Sequence, residues 1–167
     1  MGGLASVPFA QAEMNRLRDE LPANMRAALQ RSVETGNLTD PEYTVAVETF
    51  YHKHLCRLTP WPADVLTTLD YIARRPVYAI MNGPNEFTIT GTIRDVDLTP
   101  RLGALRMPTL VTGGRFDEVT PSVAQQIHRA IPGSRMVMFE NSSHLPFWEE
   151  RERFFDVLSR FLLATES

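Results

Sequence analysis

Two short segments hold the side chains of this sequence that could perform chemistry together. One is Gly113-Gly114-Arg115-Phe116-Asp117-Glu118-Val119-Thr120-Pro121, and the other is Asn141-Ser142-Ser143-His144. Asp117 and His144 supply a carboxylate and an imidazole. In acyl transfer the imidazole takes the proton of an attacking hydroxyl and later hands it to the leaving amine. The carboxylate fixes the imidazole tautomer and stabilises the imidazolium. An acid followed by a histidine near the C-terminus is the back half of the α/β-hydrolase order Ser…Asp…His. The serine of that order stands in a G-x-S-x-G elbow, and no such motif occurs in these 167 residues. An aspartate in a turn and a histidine in a loop are each commonplace alone, so it is their joint placement that carries the reading.

The remaining reactive types point elsewhere. Cys56 is the one cysteine, which excludes an internal disulfide framework and any multi-cysteine metal site. It reads as a small buried apolar residue. His52 and His54 are two positions apart, which does not put them on one helix face, so they do not form a metal pair. With His128 they fall on predicted helices, in exposed or capping roles. No metal and no cofactor is expected.

Asp117 and His144 can meet only if the elements before them are neighbouring strands. Pro108 to Gly114 reads as a buried strand ending in a glycine turn, Ser122 to Ile131 as a helix, Arg135 to Phe139 as a second strand, and Phe147 to Leu163 as an amphipathic helix with Phe154, Leu158, Phe161 and Leu162 inward. That order argues a parallel α/β unit, in which functional side chains gather at the carboxyl ends of the strands. Both candidate residues lie there.

The chain before residue 105 is helical in pattern. Met14, Leu17 and Leu21 mark one apolar stripe, and Met25, Ala28 and Leu29 the next. Asp40-Pro41-Glu42 is a helix start, with a capping aspartate, proline at the first position and an acid in the first turn. Tyr43, Val47, Phe50, Tyr51 and His54 follow on one face, and Trp61-Pro62-Ala63-Asp64 opens another helix. Asn82-Gly83-Pro84-Asn85 is a turn, and the alternation from Phe87 to Ile93 reads as a short extended segment.

Composition sets outer limits. Hydrophobic residues make up 43% and charged residues 22%, with a formal net charge of −3, so nothing invites nucleic acid or an anionic membrane surface. No run approaches the roughly 20 apolar residues of a membrane span. The residues from Met1 to Ala12 do not resemble a signal peptide, and a cytoplasmic protein is expected.

Beyond the isolated pair, the motif set resembles one family. Gly83-Pro84-Asn85-Glu86-Phe87, the segments around Asp117 and His144, and Ile131-Pro132-Gly133-Ser134 look like proline iminopeptidases. So do the start, Gly2-Gly3-Leu4-Ala5-Ser6-Val7-Pro8, and Phe50-Tyr51-His52-Lys53-His54. The pattern is nearest to the type that acts downstream of tricorn protease. The resemblance implies an incomplete α/β-hydrolase fold. Residues 1–104 would be a helical cap with its connecting segment, and residues 105–167 the last two βα units of the core. The first six strands, the oxyanion hole and the nucleophilic serine would lie in the family's first half, before the point at which this chain starts.

By resemblance Glu86 and Glu118 match the glutamates that bind the free α-amino group of the substrate, and Tyr78 and Phe87 are candidates for the slot that takes the proline ring. The implied activity is a serine-type aminopeptidase releasing N-terminal proline from short peptides. Its implied partners are those peptides and either a complementing N-terminal half or a second copy of the chain. Two other readings stand beside it. The acid and histidine are shared with esterases and epoxide hydrolases, and the absent nucleophile fits a catalytically inactive truncated fragment.

Overall fold

The first helix already shows how the fold is built. In the computed structural model, which describes residues 3–165, helix α1 (Val7–Asp19) buries Val7, Ala10, Met14 and Leu17 at helical spacing. Its entry is held by main-chain bonds from Val7 N–H to Val96 O (2.9 Å) and from Leu98 N–H to Ala5 O (2.7 Å). Gly2, quoted above for the resemblance, lies outside the described residues, as do Met1, Glu166 and Ser167.

Helix α2 (Ala23–Thr35) ends at Gly36, whose φ of 72° is a left-handed cap. Helix α3 (Pro41–His54) begins as its sequence dictates: Asp40 Oδ1 accepts the Glu42 N–H at 2.9 Å, and Pro41 occupies the first turn. Its buried face is Tyr43, Ala46 and Phe50. Phe50 stacks on Phe87 with ring centroids 3.9 Å apart, and both are completely buried in the apolar core shared with α1. Helices α4 (Ala63–Ala73) and α5 (Pro76–Met81) follow, then a single turn, α6 (Thr99–Leu102).

The extended segment expected from Phe87 to Ile93 is not a strand. Gly83, Asn85, Phe87 and Ile89 are buried in alternation, as the sequence suggests, but the ladder partner is a side chain. The Gln11 amide accepts the Ile89 N–H at 2.6 Å and donates to Phe87 O at 3.0 Å. One primary amide thus satisfies the donor and acceptor that a neighbouring strand would have satisfied.

Strands β1 (Leu110–Gly114) and β2 (Arg135–Phe139) are parallel, in register from Leu110↔Arg135 to Gly114↔Phe139, with helix α7 (Pro121–Ala130) as the crossover. Pairing starts one residue before β1, where Arg135 N–H donates to Thr109 O (2.9 Å); Pro108 has no N–H to offer. The expected C-terminal helix is two helices, α8 (Pro146–Glu149) and α9 (Arg151–Thr165), broken at Glu150, where φ is −127° and ψ is 51°.

No described residue of α9 is buried, and Leu162, expected inward, is 51% exposed. The reason is the sheet. Among the described residues it has two strands, so β1 has a neighbour on one side only. Phe154, Val157, Leu158, Phe161 and Leu162 of α9 line an open groove with Leu110 and Thr112. Among the described residues no helix is long and apolar enough to cross a membrane.

Candidate active site

The two strand ends can approach because Gly114 closes β1 without a side chain. A Cβ there would collide with the carbonyl oxygens of Ser142 and Ser143. The loops that follow are laced together by Arg115 N–H to Phe139 O (2.9 Å) and Phe116 N–H to Ser142 O (3.0 Å). Asp117 then turns inward and is buried. Its Oδ1 accepts the Val119 N–H at 2.7 Å, which fixes the carboxylate, and lies 2.8 Å from His144 Nδ1. An ionised carboxylate only accepts, so Nδ1 carries a proton, and in the neutral imidazole Nε2 keeps its lone pair. The His144 side chain keeps 23% of its surface exposed, against 2% for Asp117. That is the geometry of a histidine oriented from behind and open in front.

Burial pulls the imidazole toward the neutral form. The hydrogen bond and charge of Asp117 override it, aided by Glu118 and Glu86, and raise the His144 pKa to about 9. Glu118 is itself completely buried, and its Oε2 has no hydrogen-bond partner among the described residues. Burial pushes its pKa up to about 8; His144 draws it down, and the carboxylates of Glu86 and Asp117 push it further up.

Glu86 reaches this cluster from the turn after α5. Gly83 makes that turn possible: its φ is 140°, and a Cβ would meet Thr88 O and Thr90 Oγ1. The Asn85 amide donates to Tyr43 Oη (3.0 Å), the Asn82 amide donates to Tyr78 Oη (3.1 Å) and Asn85 O (2.8 Å), and the Glu86 N–H donates to Tyr51 Oη (3.2 Å). Burial first, and then the Glu86 charge, raise the pKa of the Tyr78 phenol. Asp117 therefore holds the imidazole directly, and the charges of Glu118 and Glu86 act on it from further away.

The structure joins Asp117 to His144 directly and leaves Glu118, Glu86 and Tyr78 near enough to act on one another electrostatically. Phe87 is not among them, its ring being spent on Phe50 in the core. His54, read as exposed or capping, is half-buried: Nδ1 contacts Phe116 O at 2.8 Å, its carbonyl accepts the Glu118 N–H at 3.2 Å, and burial lowers its pKa. His128 pairs with Ser134 Oγ at 2.8 Å, and His52 lies against the Trp61 ring. Cys56 is buried. Among the described residues no three His, Cys, Asp or Glu side chains gather as a metal site.

Sequence reasoning missed Glu149 and Glu150, whose carboxylates fold back over the His144 loop. Their signal was present: two acids just after Pro146, where helix α8 starts. It also missed Glu13, whose Oε2 accepts the buried Thr120 hydroxyl at 2.7 Å.

No protein-family model matches the chain. Individual proteins do. The proline iminopeptidase of Thermoplasma volcanium is 50% identical over 161 residues, 96% of this chain and 55% of that protein. That of Saccharolobus solfataricus is 49% identical over 160 residues, 96% of this chain and 52% of that protein. The crystal structure of VinJ superposes with a TM-score of 0.93 at 39% identity, covering 97% of this chain and 55% of that one. The proline iminopeptidase of Mycobacterium smegmatis gives 0.85 at 37% identity with the same coverage. An esterase from Exiguobacterium antarcticum, at 21% identity and a TM-score of 0.51, shares the fold alone. The chain spans about half the length of the curated relatives it matches. Over nearly all of its own length, the chain is similar to proline iminopeptidases, and its fold is part of an α/β-hydrolase.

Proposed function

We propose that the chain is the C-terminal half of a serine-type aminopeptidase that releases N-terminal proline from short peptides. In this reading residues 1–104 form the cap with its connecting segment, and residues 105–167 the last two βα units of the core. His144 is the general base and then the general acid, and Asp117 is its orienter. The serine and the oxyanion hole come from the other half of such a protein. Glu86 and Glu118 bind the substrate amine, and Tyr78 borders the slot for the proline ring. The tricorn-linked type rests on the sequence resemblance.

The observation that carries the reading is Glu118. A fully buried carboxyl with an unpartnered oxygen is costly unless a ligand supplies the missing charge and donors. A prolyl N-terminus is a secondary ammonium with two N–H donors, and it suits a pair of carboxylates. An internal peptide bond has no such charge, so the same pair selects chain ends.

The test uses the chain joined to the N-terminal half of a proline iminopeptidase and assayed on a fluorogenic prolyl amide and on a neutral ester. Truncating a buried charge contact costs about 2–5 kcal/mol, so Glu118→Gln should lower kcat/KM for the prolyl amide at least about thirtyfold and spare the ester. Equal losses on both substrates, or an undiminished rate in His144→Ala, would refute the assignment.

A further inference from the structure

Glu149 accepts an unusual set of donors. One carboxylate oxygen takes the backbone N–H groups on both sides of His144, from Ser143 (2.8 Å) and Leu145 (3.3 Å). The other takes the Ser143 hydroxyl (2.7 Å) and the backbone N–H of Arg57 (2.8 Å). The backbone at 144 is thus held from both flanks by one side chain, and that side chain is tied to the segment that follows α3.

The last residue of α3, just before that segment, grips the other strand end. His54 contributes its carbonyl to the Glu118 N–H and its Nδ1 to Phe116 O, clasping the Asp117 turn on both sides. The Arg57 guanidinium lies 3.7 Å over the Phe116 ring and donates to Asn141 O at 3.2 Å, so it touches both loops. Glu150 adds contacts to Asn141 N–H (3.0 Å) and Ser142 Oγ (2.7 Å). Neither loop is regular structure, and the hydrogen bond between Asp117 and His144 has to be fixed by what lies around it.

We propose that Glu149 is a positioning residue for His144: with His54 and Arg57 it forms a clip that carries the relative position of the two strand-end loops, and so the Asp117–His144 contact, from the end of α3. The inference rests on the proposed role of His144. Its test does not need turnover, so failure of the peptidase reading and failure of the clip are separate results.

The test is NMR titration of the His144 imidazole in the 167-residue chain, together with the hydrogen-bonded Nδ1 proton, which resonates far downfield while Asp117 holds it. Glu149→Ala should lower the His144 pKa by about one unit or more, a tenfold change in proton affinity, and broaden or abolish the Nδ1 resonance. Glu149→Gln keeps the shape and one acceptor oxygen and should give a smaller shift in the same direction. Arg57→Ala should do likewise. Leu29→Ala removes a buried side chain of α2, a helix that makes no hydrogen bond to either loop among the described residues, and is the control for general destabilisation.

A His144 pKa and Nδ1 resonance unchanged in Glu149→Ala would overturn the proposal. So would an equal shift in Leu29→Ala. If Glu149→Ala does not fold, Glu149→Gln and Arg57→Ala decide by the same criterion.

Discussion

Replacing Glu118 by glutamine should make the protein more stable at neutral pH. Burial, with the charges of Glu86 and Asp117 behind it, raises the folded-state pKa of Glu118 from 4.5 to about 8, against the pull of His144. A group whose pKa is raised by folding contributes most below its unfolded value and loses that contribution as pH climbs to its folded value. At about 1.36 kcal/mol per unit, the wild type should lose roughly 2 kcal/mol between pH 4.5 and 6.5 through this one carboxyl. His144 has the same sign in a later window. Its pKa rises from 6.5 to about 9, so its contribution holds below pH 6.5 and fades as pH approaches 9. The range from 4.5 to 6.5 therefore isolates Glu118. Urea unfolding followed by the fluorescence of Trp61 and Trp148 measures the effect, and other carboxyls cancel in the difference between wild type and Glu118→Gln. With a urea slope of about 2 kcal/mol/M, the gap between the two midpoints should widen by roughly 1 M across that range. A gap that stays constant would show that Glu118 ionises freely, and with it would go the argument that the site is short of a cation.

Two further substitutions test the parts that bring the site together. Gly114→Ala should destabilise by roughly 1–3 kcal/mol, because its Cβ meets main-chain carbonyls of the His144 loop rather than a side chain that could swing aside; thermal unfolding by circular dichroism measures it, and a neutral effect would contradict the close approach of the two strand ends. Asp40→Ala should cost about 1 kcal/mol through loss of the α3 cap and Asp40→Asn a few tenths at most, as read from the same melts.

The strand–helix–strand order, the residues of β2 and the start of α3 were legible because each is written locally, in an apolar run between turns or in a cap followed by proline. The Asp117–His144 contact was legible because topology fixes it: parallel neighbours joined by one crossover end side by side. Three features depended on contacts remote in sequence. The segment near Phe87 alternates like a strand, yet its partner is an amide of α1, which no local pattern announces. The exposure of Leu162, which faces the groove beside β1, reflects what α9 has to pack against, and a two-stranded sheet covers little of it. Glu149 and Glu150 are in sequence no more than two acids after Pro146, and only the folded loop reveals which N–H groups their carboxylates point back at.

The arrangement divides the proposed work between two parts of the chain. Glu86 comes from the helical part and would choose the substrate by its charge. His144 and Asp117 come from the strand ends and would move the proton. Such a division is useful only if the two parts keep register, since a displacement of the ångström scale at a reacting centre can cost orders of magnitude in rate. Residues 54–57 supply that register: they begin at the last residue of the helix that carries Phe50 and Tyr51, which contact Phe87 and Glu86, and they hold both strand-end loops. A shift of α3 would therefore carry the amine site and the proton-transfer pair together, so the distance between them would be conserved even where the helical part moves.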